Sequence, residues 1–195
     1  MTIFIVHGFN SKKHAVWMSQ LAQLIEAAGF NTRLANYGST HLLNVGRVTE
    51  DTAREIASVA VEGDMAIGHS NGCTAIHKAC RDYGANIERV FYLNAALLID
   101  TEPMPWVKQQ DVFYAPNEIA TPAGKLWGKI NPFIDDWGAM GRYGYSGDDE
   151  RVTNINLGPV GHSGALAFSR RERTAEAIID RIHGRKLARE PLFRS

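Results

Sequence analysis

Asp64-Met65-Ala66-Ile67-Gly68-His69-Ser70-Asn71-Gly72 decides the fold of this 195-residue chain. Asp64–Ile67 reads as a short strand, and Asn71–Tyr83 reads as a helix closed by Gly84. Between them lies Gly68-His69-Ser70-Asn71-Gly72, a GxSxG sequence. That pattern alone arises often by chance. Set directly between a strand and a helix, it predicts a sharp turn that strains its central residue and lifts the serine oxygen clear of the sheet. Gly68 and Gly72, two residues to either side of Ser70, let strand and helix approach closely. The helix start adds N–H groups and positive dipole beside any anion forming there. The bland alternative is an ordinary strand-to-helix turn with an idle serine.

The same alternation extends outward in both directions. Thr2–Val6, Thr32–Asn36, Arg89–Leu93, Asp111–Ala115 and Val152–Leu157 read as further strands, rich in β-branched and aromatic residues. Ala15–Ala28, Val48–Val61 and Thr174–Ile182 carry apolar residues three and four apart and read as helices. Alternating strands and helices predict an α/β protein of three α/β/α layers, with a mostly parallel sheet of about six strands. In such sheets the ligand crevice lies beyond the carboxyl ends of the strands, so the residues just after each strand carry the interest. Residues 116–150 break the pattern. They hold Pro116, Pro122, Pro132, many glycines, and the aromatics Trp127, Phe133, Trp137, Tyr143 and Tyr145. So long an irregular stretch reads as a cap or binding loop over the crevice, against the alternative of a surface excursion.

Composition narrows the function. Twenty-one Lys and Arg balance twenty-one Asp and Glu, which argues against a dedicated nucleic-acid binder. The 45% hydrophobic and 22% charged content fits a globular domain, and the length fits one domain over residues 1–195. No run approaches the ~18 apolar residues of a membrane span. Met1–Val6 lacks a basic start and a long apolar run, so the protein is expected in the cytoplasm. Cys73 and Cys80 fall on one predicted helix, roughly 10 Å apart, too far to bridge. They read as reduced packing residues, with no zinc-ligand spacing around them. From residue 170 onward, eight Lys and Arg face four Asp and Glu, a basic tail that reads as a solvated helix face.

A neutral serine needs a base. Of the seven histidines, His162 follows the last strand through Gly158-Pro159-Val160-Gly161, at a carboxyl end and after the serine in sequence. His183 falls inside the last helix, and His77 lies seven residues along the elbow helix, pointing away. His14 and His41 follow no strand, and His69 projects from the elbow in another direction and reads as packing. The base needs an orienting acid. Glu118, just after Asp111–Ala115, is best placed, while Asp135, Asp136, Asp148 and Asp149 compete and Asn117 is a weaker candidate. An oxyanion needs two N–H donors: Asn71, next to the serine, and Phe9 in the loop His7-Gly8-Phe9-Asn10 after the first strand.

On these motifs, His7-Gly8-Phe9, Gly68–Gly72 and Gly161-His162, the chain resembles the α/β-hydrolase superfamily in a minimal, small serine-hydrolase form, over nearly its whole length. The resemblance implies six parallel strands matching the family's central and later strands, without its antiparallel N-terminal ones. It implies a Ser–acid–His triad of Ser70, Glu118 and His162, and an oxyanion hole from Phe9 and Asn71. The chain departs from the family in using Glu where Asp is commoner, and in having no long helical lid between Leu93 and Asp111. The expected reaction is hydrolysis of a small carboxylic ester, or of a thioester or amide, without metal or organic cofactor. Trp127, Trp137 and Tyr143 are candidates to bind an apolar acyl or alcohol group. A non-catalytic binding protein of the same fold and an acyltransferase with the same residues are the competing readings.

Overall fold

The computed structural model describes residues 1–8, 12–35, 44–120, 137–187 and 190–193, with the backbone alone at 12–14. Six parallel strands run β1 (Thr2–Val6), β2 (Asn31–Leu34), β3 (Asp64–His69), β4 (Ile87–Leu93), β5 (Gln109–Tyr114) and β6 (Val152–Asn156). Their order in the sheet is β2-β1-β3-β4-β5-β6. Helices α1 (Lys12–Ala27), α2 (Val45–Val59), α3 (Asn71–Tyr83), a single turn α4 (Met140–Tyr143) and α5 (Arg171–Ile182) fill the crossovers and the C-terminal region.

The period-two alternation of each strand separates two apolar layers. Phe4 and Val6 of β1, with Ala66, Val90, Tyr92 and Val112, pack under α2 and α3. Ile3 and Ile5, with Ile67, Phe91, Phe113 and Ile155, pack under α1 and α5. The sheet is thus the middle of three layers.

Sequence and structure differ at element ends. β4 starts at Ile87, two residues before Arg89, because Ile87 pairs with Asp64. β5 starts at Gln109, and Gln110 and Asp111 are fully buried in it. A buried carboxylate in a strand needs partners. Asp111 takes Arg89 Nη2 at 2.9 Å on one oxygen and Arg181 Nη2 at 2.8 Å on the other, which ties β4, β5 and α5 together. α5 ends at Ile182, so His183 caps that helix instead of lying inside it, its ring centroid 5.7 Å from that of Phe30.

The glycines around α4 have a packing reason. A Cβ on Gly138 would lie 2.5 Å from Leu98 Cα, and one on Gly141 would lie 2.6 Å from the Asn94 carbonyl carbon. This segment therefore lies backbone against backbone on the chain leaving β4, with Met140 N–H bonded to Leu97 O at 3.0 Å. Arg151 gathers several carbonyls of the connection from β4 to β5. Arg151 donates to the carbonyls of Met104 at 2.9 Å, Val107 at 3.1 Å and Pro103 at 3.2 Å, and to Asp149 at 2.6 Å. Among the described residues, no helix is long and apolar enough to cross a membrane.

Candidate active site

Ser70 sits between β3 and α3 at φ 55° and ψ −125°, a conformation that L residues rarely adopt. Such backbone costs on the order of 1–3 kcal/mol and persists only where its surroundings enforce it. Here three bonds enforce it. Ser70 N–H donates to Leu93 O at 3.0 Å, and Ser70 O accepts from Cys73 N–H at 3.1 Å and Ala96 N–H at 3.2 Å. The flanking glycines are sterically required. A Cβ on Gly68 would lie 2.8 Å from Cys73 N, and one on Gly72 would lie 2.8 Å from His7 O. The loop after β1 presses on the same point, since a Cβ on Gly8 would be 2.7 Å from Ser70 Cβ and 3.2 Å from its Oγ.

Three side chains that follow the carboxyl ends of three strands meet at one point. His162 Nε2 lies 2.8 Å from Ser70 Oγ. On its far side, Nδ1 lies 3.1 Å from Glu118 Oε1. That second contact is close but off-line for a hydrogen bond, and such contacts commonly tighten only when substrate arrives. Glu118 is fully buried, its backbone N–H is bonded to Ala115 O at 2.9 Å, and its Oε1 also accepts from Ala120 N–H. A carboxylate only accepts, so the imidazole proton belongs on Nδ1, and Nε2 is left to accept from the serine hydroxyl. Of the competing acids, Asp149 is engaged by Arg151, which holds its pKa below the usual carboxylate range, and Asp148 is exposed. Asn117 is also exposed. Asp135 and Asp136 lie outside the described residues, as do Phe9, Trp127 and His41.

Asn71, the first residue of α3, is buried and its side-chain amide is fixed at both ends. Its Nδ2 donates to Thr49 Oγ1 at 2.8 Å, and its Oδ1 accepts from the Trp137 indole N–H at 2.6 Å. Thr49 spends its own proton on Val45 O at 2.7 Å, so its oxygen can only accept from Asn71, which settles the orientation of the amide. Trp137 is thereby joined to the residue next to Ser70 and remains half-buried. Tyr143 is 61% exposed, with the Arg142 guanidinium over its ring at 5.3 Å. Among the described residues no contact joins it to Ser70.

Two histidines flank this site. His7 Nδ1 is 2.8 Å from Gly8 O, and burial pulls its pKa below the ordinary imidazole value. His69 is fully buried, and its Nε2 lies 3.0 Å from the backbone oxygen of His162. Neither this contact nor the role of Thr49 is readable from residue spacing, because both depend on how a loop and a helix sit over the sheet.

No family sequence model and no curated protein matches the chain. Solved structures do. Alpha/beta hydrolase domain-containing protein 10 from mouse superposes with a TM-score of 0.63 at 12% identity, over 94% of this chain and 90% of that one. Est1E from Butyrivibrio proteoclasticus gives 0.56 at 12% identity, over 93% and 88%. A pyrethroid hydrolase from Sphingobium faniae gives 0.56 at 15% identity, over 92% and 96%. The chain has the α/β-hydrolase fold. At these identities the likeness carries architecture, and the reaction has to be argued from the site.

Proposed function

We propose that the protein is a serine hydrolase that cleaves a small carboxylic ester through an acyl-enzyme. The observation that carries this is the 2.8 Å approach of His162 Nε2 to the oxygen of a serine held at φ 55°. His162 takes the Ser70 proton as Oγ attacks the carbonyl carbon. The C–O bond to the leaving alcohol then breaks, and the imidazolium returns its proton to that alcohol. A water, deprotonated by His162, attacks the acyl-serine and releases the acid. Glu118 holds the imidazole orientation and stabilises its charged form. The tetrahedral oxyanion is met by the Asn71 N–H at the helix start and by the loop after β1, in which we assign the second donor to Phe9. Trp137, tied to Asn71, forms part of the wall around the acyl or alcohol group, with Trp127 and Tyr143 as further members. These steps use no metal or organic cofactor. The hydrolases among the structural neighbours support the reaction class.

A fluorophosphonate probe tests this directly. It should label wild-type protein and spare Ser70→Ala, and a series of p-nitrophenyl esters of increasing chain length should be turned over only by the wild type. Equal labelling of both proteins, or of neither, refutes the reading.

A further inference from the structure

We infer that His69 is a positioning residue for the base: through its ring N–H it tethers the backbone of His162 over the nucleophile. The inference deepens the proposed function and rests on the assignment of Ser70 and His162 as nucleophile and base. β6, which leads into the His162 loop, stands three places from β3 in the sheet, about 14 Å at the usual strand spacing. The loop must cross β5 and β4 to bring its imidazole to Ser70. Within residues 158–164 the backbone bonds are local, Val160 N–H to Gly158 O at 2.8 Å and Gly164 N–H to Gly161 O at 2.8 Å. Those bonds shape the loop without fixing its reach across the sheet.

Two adjacent residues of the elbow receive it at the far side. Ser70 Oγ meets the imidazole at 2.8 Å, and His69 Nε2 meets the main-chain oxygen of the same residue at 3.0 Å. The pleat explains the direction. Gly68 faces Cys73 and Ile76 of α3, so His69 must face the opposite layer, where Val160, Ala165 and Leu166 of the incoming loop pack. A carbonyl oxygen only accepts, so Nε2 of His69 carries the proton. The two rings lie 5.1 Å apart between centroids and are tilted by 47°, so the buried His69 ring also backs the face of the base. A side chain that merely filled space would need no donor there.

Two variants separate a tether from packing. His69→Phe keeps a flat ring and deletes the donor. His69→Gln places an amide N–H about as far from Cβ as Nε2. In a p-nitrophenyl ester assay, His69→Phe should lower kcat at least about tenfold with KM within about twofold, since misplacement of a reacting group acts on the chemical step. Phosphonylation of Ser70 should slow by the same factor, and His69→Gln should recover most of both rates. Wild-type rates in His69→Phe, or a His69→Gln variant as slow as His69→Phe, would overturn the inference. Should His69→Phe fail to fold, histidine-selective 15N spectra of the wild type decide. They should show the proton of His69 on Nε2, and a proton on Nδ1 alone would overturn the tether. A wild-type chain that the phosphonate does not label refutes the hydrolase reading instead, while the spectrum still reports the tautomer.

Discussion

Adding one methyl group to Gly8 is the sharpest steric test of the site. The new Cβ would stand 2.7 Å from Ser70 Cβ and 2.9 Å from His69 O. Ordinary carbon contacts begin near ~3.5 Å, so one chain must retreat by about 1 Å. Neither neighbour can rotate away, because one is a backbone atom and the other is bonded directly to the backbone. Overpacking of this kind costs about 1–3 kcal/mol in stability. A shift of about 1 Å between a nucleophile and its base costs on the order of 100-fold in turnover. Gly161→Ala supplies the control. Gly161 adjoins His162 in sequence, has open space within 4 Å of where a Cβ would stand, and does not require positive φ. Urea denaturation and p-nitrophenyl ester turnover should therefore show Gly8→Ala less stable and about 100-fold slower, with Gly161→Ala within about twofold of wild type. Gly8→Ala turning over at the wild-type rate would refute the packing argument, as would an equal loss in both variants.

Two further outcomes follow. Glu118→Gln removes the acceptor behind His162 and should lower kcat on the order of 10³-fold, while Asp148→Asn stays within about twofold, both read by ester turnover. The reverse ranking would move the acid into the irregular segment. Asp111→Asn leaves two partly buried arginines without their shared buried carboxylate and should cost about 3–5 kcal/mol by denaturant titration, with kcat per folded molecule unchanged. A loss below about 1 kcal/mol would show that the arginines find solvent, as exposed pairs do.

The architecture was legible because the strands announce themselves. β1 and the core of β4 are runs of β-branched and aromatic residues, and Gly84 marks the end of α3 by its left-handed φ of 65°. β5 was legible from Asp111 onward, since Gln109 and Gln110 look like surface residues until Gln110 is seen fully buried beside Asp111. In the site, the positions of Ser70, Glu118 and His162 follow from a simple rule, that each comes after a strand in a parallel sheet. His69 and Thr49 do not follow from any rule of spacing. The partner of His69 is a main-chain oxygen 93 residues away, and Thr49 meets Asn71 only through the rotation of α2 against α3. The one-turn helix α4 was hidden by its glycines, which serve close backbone approach and not flexibility.

The placement of the base beyond the sheet's final strand has a consequence for synthesis. A growing polypeptide released as far as Tyr145 already holds Ser70, Glu118 and five of the six strands, but not His162. Only when β6 joins the edge and its loop folds back does the Ser70 oxygen meet the His162 imidazole, so the reactivity proposed for this site waits for the sixth strand.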